Sequence, residues 1–516
     1  MNKIKGINQI KIGALLSYIS LGLTSLISLL YTPIMLTNLG QSEYGLYTLS
    51  NSIIGYLGVL DFGLSNAVVR YTAKYKAMND KESEENLYGM FIVIYSIIAF
   101  IIIIAGIGIV FNISKMFSKS LTFNEIQRVK VIMCVMIFNL AISFPFGVFN
   151  GVISAYEHFV FPKLISIIRA VLNPFIMIPL LFMGYKSIAM TIATTVMNIV
   201  FIFINMYYCF KILKIEVKFK RFNFAVLKEI STYSFFIFLN IIIDKIYWST
   251  DQLILGAVSG TVAVAIYSIG STFVSYYMSF STAISGVFLP RITQMVTRNA
   301  SSEEISELFI RTGRIQYIIM SFILSSFILF GKQFIITWAG DKYKQSFYIA
   351  LIVMAALIIP LIQNIGITIL QAKNMHRFRS KIYTVIVLIN LITSIPLAKI
   401  YGGIGAAACT AVSMILGNGI IINIYYYYKV KIDIVKFWRE IIVMTFPVFV
   451  SMIFGLGINK LITIYGYLGI MIKGSIFSFI FLVIMFKLGM NNYERQLFLV
   501  PIKRIYTRVI SKENLI

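Results

Sequence analysis

The chain has 516 residues, of which 59% are hydrophobic and only 13% are charged, and its mean hydropathy is +0.86. Soluble domains carry roughly a quarter charged residues, so this composition excludes a water-soluble globular protein and indicates an integral membrane protein. The formal net charge is +25, but the basic residues lie between apolar runs, which favours a role in membrane topology over nucleic-acid binding.

Apolar runs of spanning length follow one another along the whole chain. A helix rises about 1.5 Å per residue and therefore needs about 20 apolar residues to cross the hydrocarbon layer. The first run, from Ile12 to about Thr37, is too long for the core of a secretory signal and predicts a spanning helix. About 14 transmembrane helices are predicted, near residues 12–37, 44–64, 87–111, 131–155, 161–183, 187–210, 231–256, 262–289, 315–338, 346–371, 382–398, 403–428, 441–459 and 464–486. The predicted fold class is an all-α integral membrane protein.

The distribution of Lys and Arg predicts the topology, because cytoplasmic loops carry an excess of both. Of the 45 basic residues, 32 fall in the N-terminus, the C-terminal tail and the loops on the same side, 10 fall in the alternate loops, and three lie within spans. Both termini are therefore predicted to be cytoplasmic. No loop is long enough to fold as a catalytic domain, so the chain is predicted not to be an enzyme.

Weak internal repeats predict a duplicated bundle, as in many transporters. Residues 171–180 match residues 388–397 at an offset of 217, and residues 40–49 match residues 260–269 at an offset of 220. Each offset covers six predicted helices, so the halves are predicted to be parallel repeats. The predicted domains are an N-terminal six-helix lobe (1–210), a basic cytoplasmic linker (211–228), a C-terminal six-helix lobe (229–428), two additional helices (429–486) and a basic tail (487–516).

Ionisable residues inside a bilayer cost several kcal/mol unless they face a cavity or a partner, so each is a functional candidate. In the seventh predicted helix, Asp244, Trp248 and Asp251 lie at i, i+4 and i+7 on one face, beside Tyr247, and the long stem of Lys245 could reach the same cavity. This wall could bind a sugar or take up a proton. The structural alternative is an internal charge arrangement of Asp244 with Lys245, with Asp251 near the outer boundary, where water reaches it.

Arg169 lies about 12 Å into the fifth predicted helix, one turn before Asn173. Its guanidinium could grip a phosphate oxygen with two parallel hydrogen bonds, or it could be a cytoplasmic anchor. Asp61 closes the second predicted helix near the cytoplasmic face, where it could pair with Arg70, gate the inner mouth or only end the helix.

Uncharged polar stripes and single residues complete the candidates. Asn364, Thr368 and Gln371 share one helix face, as do Thr191, Thr195 and Asn198, and each stripe could line a hydrophilic path or join helices. Lys473 is expected to extend outward from the last helix. Three cysteines in apolar segments are expected to be small buried packing residues: Cys134, Cys209 and Cys409.

The sequence contains neither a Walker loop nor an H-E-x-x-H motif, so no cofactor, ATP site or zinc site is predicted. Any pumping then depends on an ion gradient, of protons or sodium ions, or on an asymmetry of the substrate.

Five segments together resemble the polysaccharide-biosynthesis flippases of the Wzx type. That family shares a superfamily with the multidrug/toxin extruders (MATE) and the lipid II flippases, known as the MOP exporters. The segments occur in order over nearly the whole chain: Leu39–Tyr47 (LGQSEYGLY), Leu60–Leu64 (LDFGL), Asp251–Gly256 (DQLILG), Phe288–Ile292 (FLPRI) and Gly402–Ala407 (GGIGAA).

The resemblance implies a V-shaped, MATE-like pair of six-helix lobes that moves a polyprenyl-pyrophosphate-linked oligosaccharide, of the undecaprenyl type, to the outer leaflet of the bacterial plasma membrane by alternating access. Polysaccharide polymerase and chain-length machinery are implied partners. The implied roles are pyrophosphate binding by Arg169, Lys245 and Asn173, sugar contact by Tyr247, Trp248, Asn364 and Thr368, and coupling or gating by Asp61, Arg70, Asp244 and Asp251.

Two alternatives remain open. An ion-coupled drug or toxin exporter of the same superfamily would need a more apolar pocket. Many extruders and lipid II flippases also have a charged residue in the first helix, whereas the first predicted helix of this chain has none. A membrane-embedded polymerase or glycosyltransferase would need a sizeable outside loop with catalytic residues, and no such loop is present.

Overall fold

A computed structural model describes residues 2–220, 222, 224–373, 375–497 and 499, and shows helices throughout. No strand occurs in these residues, which confirms the all-α prediction. The α-helices are α1 (Asn2–Leu57), α2 (Leu64–Ala77), α3 (Lys81–Phe117), α4 (Phe123–Ala155), α5 (Val160–Phe182), α6 (Ser187–Tyr207), α7 (Phe224–Val258), α8 (Gly260–Thr297), α9 (Ser302–Ala339), α10 (Gln345–Ile362), α11 (Asn364–Ala372), α12 (His376–Met414), α13 (Ile422–Tyr425), α14 (Ile434–Leu461) and α15 (Gly466–Ile484).

Two of these helices are broken internally at a glycine. Gly40 in α1 has φ 77° and Gly402 in α12 has φ 59°, values that favour a residue without a Cβ. Short 3-10 turns span Gly58–Asp61 and Asp341–Tyr343. Four π-helical stretches extend helix ends or join α12 to α13, at Tyr208–Ile212, Ile415–Ile421, Tyr426–Val430 and Met485–Gly489.

Side-chain caps explain where several helices begin. Thr122 and Glu125 form a capping box at α4, in which each side chain accepts a hydrogen bond from the other residue's backbone N–H. Asp80 caps α3 by accepting from the Ser83 backbone, and hydrogen bonding to Ser83 lowers the pKa of Asp80. These capping residues lie in polar segments outside the apolar runs from which the spans were predicted. Several helices therefore extend beyond the predicted spans.

Eleven helical segments within the described residues are long and apolar enough to cross a membrane. Two of them, Leu15–Ala77 and Phe378–Val430, have 63 and 53 residues, contain the glycine breaks and are each long enough for two crossings. α7, with Asp244, Lys245 and Asp251, is not among the eleven. A multi-pass membrane protein is therefore confirmed, and the count of fourteen stays a prediction.

The chain divides into two compact units, and the division falls inside α8. The first unit comprises Met1–Ser268 and Leu391–Ala406. In it α1 packs on α4, α5 and α7, while α4 also packs on α2, α3 and α6. Large side chains that are almost fully buried form its interior: Leu46, Leu49, Tyr71, Tyr88, Phe91, Ile102 and Phe117.

The second unit comprises Ile269–Asn390 and Ala407–Ile516. α9 is its central helix and packs on α10, α14 and α15. Three almost fully buried side chains from α14 and α15, Phe437, Phe477 and Phe481, contact Phe309 and Phe322 of α9.

The structure corrects two expectations. Cys134 is exposed, whereas Cys209 and Cys409 are buried as expected, because Cys134 lies on the outward face of α4. Lys473 does not extend outward: it is 3% exposed, and its Nζ donates to Gln333 Oε1 at 3.3 Å and to Asn459 Oδ1 at 3.2 Å. The length of an apolar run does not show which neutral side chains the neighbouring helices supply, so the burial of Lys473 was not predicted.

Candidate substrate-binding site

Arg169 lies on α5, about 14 Å along the helix, and its side chain is exposed. Its Nη2 donates to Asn198 Oδ1 at 3.3 Å, and its guanidinium carbon lies 4.7 Å from the centre of the Phe201 ring. Asn198 in turn donates to Asn139 Oδ1 at 2.8 Å and to Ser143 Oγ at 2.7 Å. A chain of neutral groups from α4 and α6 therefore orients the arginine.

All the groups that hold Arg169 are uncharged. Within the part of the chain that the structure describes, no carboxylate lies within ion-pair distance of it. A guanidinium carries five N–H donors in a rigid fork, and only one of them makes a hydrogen bond here. The remaining donors can bind a planar or tetrahedral oxyanion with two parallel hydrogen bonds.

Lys245 lies on α7 and is half-buried. Its Nζ lies 5.9 Å from the centre of the Tyr56 ring on α1, a cation–π contact with a neutral partner. Gly55 provides the space, because a Cβ there would overlap the lysine amino group. Like Arg169, Lys245 has no acidic partner among the described residues.

A polar seam between α1 and α7 positions this lysine. The Tyr56 hydroxyl and Thr250 Oγ1 lie 2.6 Å apart, and Ser52 hydrogen-bonds to Gln252 one turn away. Gln252 also donates to Ser268 Oγ at 3.3 Å, which joins α7 to α8. The seam fixes the rotation of α7 and therefore which face of the helix presents Lys245.

The predicted polar wall on α7 is divided between accessible and packed residues. Asp244 is exposed and Trp248 is 38% exposed. Tyr247 is 7% exposed and packs edge-to-face on Trp248, with ring centres 5.1 Å apart.

Asp251 is 4% exposed and accepts a hydrogen bond of 2.5 Å from the Tyr267 hydroxyl. The interpretation in which water reaches Asp251 is therefore wrong, because the turn between α7 and α8 brings Tyr267 onto the carboxylate.

Asp61 lies at the end of the 3-10 turn before α2. Its Oδ1 accepts from Ser65 Oγ at 2.7 Å and from the Tyr95 hydroxyl at 2.8 Å, rather than pairing with Arg70. Arg70 is exposed on α2, with its guanidinium carbon 5.8 Å from the centre of the Tyr71 ring. Phe62 ends the 3-10 turn and Gly63 precedes α2, and both have left-handed backbones. In this structure Asp61 therefore connects the start of α2 to α3.

The uncharged candidates lie in different units. Asn173 is half-buried on α5, one turn from Arg169. Asn364 begins α11 in the second unit and donates to Ser281 Oγ of α8 at 3.2 Å, while Thr368 is half-buried on the same helix. Asn364 therefore joins α11 to α8. Asn173 and Arg169 lie on the same face of α5.

Sequence analysis missed a network of acidic residues in the first unit. Glu43 is 5% exposed, accepts from Ser187 Oγ at 2.5 Å and forms an ion pair with Arg128. Both charged residues lie near the predicted outer ends of spans. Charged residues are common there, so their presence does not by itself indicate a functional site. Glu125, which also binds Ser42 and Thr261, could have been found from its capping-box spacing after Thr122.

The charges of Arg169 and Lys245 suit an anion rather than a metal ion. Among the described residues, no three His, Cys, Asp or Glu side chains converge as metal ligands. Arg169 and Lys245 offer N–H donors only, which are the groups that bind phosphate oxygens.

Comparisons with known proteins match the chain to one protein family and to one curated relative. The family model described as polysaccharide biosynthesis protein matches residues 11–296. A Shigella flexneri protein described as an O-antigen transporter is 22% identical over 391 residues, which cover 73% of this chain and 88% of that protein.

Solved structures show the same fold. The lipid II flippase MurJ, in an inward closed conformation, superposes with a TM-score of 0.73 at 16% identity and covers 91% of this chain and 97% of its own. An inward-facing MATE family multidrug transporter of the MOP superfamily gives 0.61 at 14% identity and covers 79% of this chain and 96% of its own.

These relatives are transporters and flippases rather than enzymes, so both the predicted resemblance and the prediction of a non-enzyme are confirmed. The family model covers more than half of the chain, from the first helix to the end of α8. This chain therefore belongs to the polysaccharide biosynthesis protein family, and it shares its fold with MurJ and with a MATE family transporter.

Proposed function

We propose that this protein flips polyprenyl-pyrophosphate-linked oligosaccharides from the cytoplasmic to the outer leaflet of the bacterial plasma membrane, by alternating access, for the synthesis of a surface polysaccharide. The lipid tail stays in the bilayer while the sugars and the pyrophosphate cross within the protein. The O-antigen transporter and the lipid II flippase among its relatives support a lipid-linked saccharide as the substrate class. The excess of Lys and Arg on one side supports cytoplasmic termini.

The observation that carries the proposal is that two cations on helices of the first unit, Arg169 and Lys245, are each contacted only by neutral groups among the described residues. An uncompensated charge in this position costs several kcal/mol, and a protein retains such a charge where an oppositely charged ligand offsets it. A pyrophosphate provides several negative oxygens for the arginine fork and the lysine amino group. Asn173, one turn from Arg169, can donate a further hydrogen bond.

The remaining candidates have proposed roles of their own. Trp248 is accessible enough to stack on a sugar ring, and Tyr247 supports it from behind. Asp244 is exposed on α7 and is proposed to act in ion or proton coupling. Asp61, Arg70 and Asp251 are proposed to act in gating, and Asn364 and Thr368 are proposed to contact sugar.

Binding of a soluble analogue tests the site directly. Purified protein in detergent is titrated with farnesyl pyrophosphate, and the fluorescence of Trp248, beside Lys245, reports binding. Arg169→Ala and Lys245→Ala should each weaken binding by roughly 10- to 150-fold, since a charge-assisted hydrogen bond contributes about 1.5–3 kcal/mol. Farnesol, which lacks the pyrophosphate, should bind weakly to every variant.

Lys163→Ala is the matched control, because it removes a positive charge from α5 six residues before Arg169, on a different face of the helix. It should leave farnesyl pyrophosphate binding within about twofold of the unaltered protein. In cells, the Arg169 and Lys245 variants should lose surface polysaccharide at normal protein level. Unchanged binding and unchanged polysaccharide in both variants would remove these residues from the mechanism, and altered drug sensitivity instead would favour the exporter alternative.

The proposal also includes the enzymes that use the transported oligosaccharide. A polysaccharide polymerase and its chain-length machinery act on the outer leaflet, so we propose that they receive the oligosaccharide there. Coupling to a proton or sodium gradient is proposed to give the transport its direction, since no site for ATP hydrolysis is present in the sequence.

A further inference from the structure

An arginine-rich cavity lies within the second unit, between the end of α8 and the start of α9. Its volume is about 190 Å³. Arg291 and Arg298 reach it from α8, and Glu304, Glu307 and Arg311 reach it from α9. None of these residues belongs to the site proposed for the oligosaccharide.

Internal pairing leaves this cavity with an excess positive charge. Arg298 and Glu304 form an ion pair of 3.0 Å, which neutralises both. The Arg311 guanidinium lies 3.0 Å from the centre of the Tyr493 ring, and its Nε is buried without a hydrogen-bond partner among the described residues. Two arginines and one glutamate remain, a net charge of +1.

The geometry points to a binding site for the headgroup of an anionic phospholipid, such as phosphatidylglycerol. Arg291 and Arg311 come from facing helices and can each donate to the phosphate diester, which carries one negative charge. Glu307 can accept hydrogen bonds from the hydroxyls of a glycerol headgroup.

The location in the membrane favours a lipid as the source of the phosphate. The excess of Lys and Arg places the α8–α9 connection on the proposed cytoplasmic side, where anionic lipids are abundant and basic pockets between transmembrane helices bind their headgroups. Met295 and Leu308 also line the cavity and offer apolar contact beside the charged groups. The site goes beyond the proposed function, and its occupant is a resident lipid rather than the transported substrate.

The test uses the full chain, purified in detergent and stripped of lipid. Native mass spectrometry measures the dissociation constants of phosphatidylglycerol, phosphatidylethanolamine and inorganic phosphate, and the melting temperature shows that each variant is folded. The variants are Arg291→Gln, Arg311→Gln and Glu307→Gln. The matched control is Arg439→Gln, which alters an exposed arginine on α14 that does not line the cavity.

Phosphatidylglycerol should bind more tightly than phosphatidylethanolamine. Arg291→Gln and Arg311→Gln should each weaken phosphatidylglycerol binding by about tenfold or more, while Arg439→Gln changes it by less than about twofold. Glu307→Gln should weaken it by no more than about threefold, because the amide oxygen still accepts a hydrogen bond from a hydroxyl and the lost negative charge makes the cavity more positive.

Three results would overturn the assignment. Equal affinity for the two lipids would exclude selection of an anionic headgroup. Inorganic phosphate binding as tightly as phosphatidylglycerol would indicate a free-anion site without a lipid. Equal losses in Arg291→Gln and Arg439→Gln would indicate a general surface charge effect. The Arg291 variant is the decisive one, because its exposed side chain makes no hydrogen bond or ion pair within the described residues. Replacing it should therefore not unfold the protein.

Discussion

Two arginines within apolar helices have opposite surroundings. Arg314 on α9 is 5% exposed, donates to Glu494 through Nε at 2.6 Å and Nη2 at 2.9 Å, and reaches Glu440 at 2.6 Å. Arg169 has one neutral hydrogen-bond partner, Asn198. The donors of Arg314 are therefore used in holding the C-terminal residues against α9, whereas those of Arg169 stay available to a ligand.

The buried pair of Arg314 and Glu494 should be important for stability. Glu494 is 1% exposed, and Glu494→Ala leaves the arginine buried with only Glu440 and a backbone carbonyl, which should cost about 3–5 kcal/mol. The measurement is the free energy of unfolding in detergent. Glu304→Ala is the control, because the exposed pair with Arg298 contributes about 0–1 kcal/mol. Similar losses in the two variants would contradict a special role for the buried pair.

Single residues were predictable where the sequence itself marks them. A charge such as Arg169 or Lys245 in an apolar run stands out, and the polar stripe containing Asn198 also follows from helical spacing. The burial of Asp251 and Lys473 could not be predicted, because it depends on Tyr267, Gln333 and Asn459, which neighbouring helices supply.

At the scale of elements, apolar run length predicted where helices lie but not how far they continue. The spans predicted at 12–37 and 44–64 form one helix, α1, bent at Gly40. The span predicted at 346–371 is divided at Gln363 into α10 and α11. Hydropathy reports how strongly a segment prefers the apolar interior of the membrane. The positions of caps, kinks and water-exposed turns depend instead on local hydrogen bonds.

The close approach of α1 to the start of α8 depends on Gly45. A Cβ there would overlap the carbonyl oxygen of Thr261, so Gly45→Ala should force the backbones apart and destabilise the protein by about 1–3 kcal/mol. Gly58→Ala is the control, because no atom lies within 4 Å of its added Cβ. Thermal unfolding in detergent compares the two variants. Equal stability would mean that the two backbones are not in close contact in the folded protein.

At the scale of the whole molecule, the two glycines at matching positions in the proposed repeats both have a positive φ. Gly40 has φ 77° and Gly260 has φ 82°, and the segments that follow them share Tyr and aliphatic positions. This agreement supports an internal duplication. The superfamily fold was predictable because five short motifs occur in order, while the division of the chain within α8 leaves no trace in hydropathy.

The proposed topology can be tested with cysteine labels in intact cells. In a variant without native cysteines, Lys186→Cys between α5 and α6 should react with a membrane-impermeant maleimide added outside. Lys436→Cys near the start of α14 should react only after the membrane is permeabilised, because the loop charges place it inside. The reverse pattern would invert the proposed orientation.

The length of α9 has a mechanical consequence. Its 38 residues extend about 57 Å, nearly twice the thickness of the hydrocarbon layer. In the proposed topology its charged N-terminal part lies on the cytoplasmic side, with the first turn about 35 Å from the bilayer midplane. A tilt of the helix by about 10° would then displace that turn by about 6 Å.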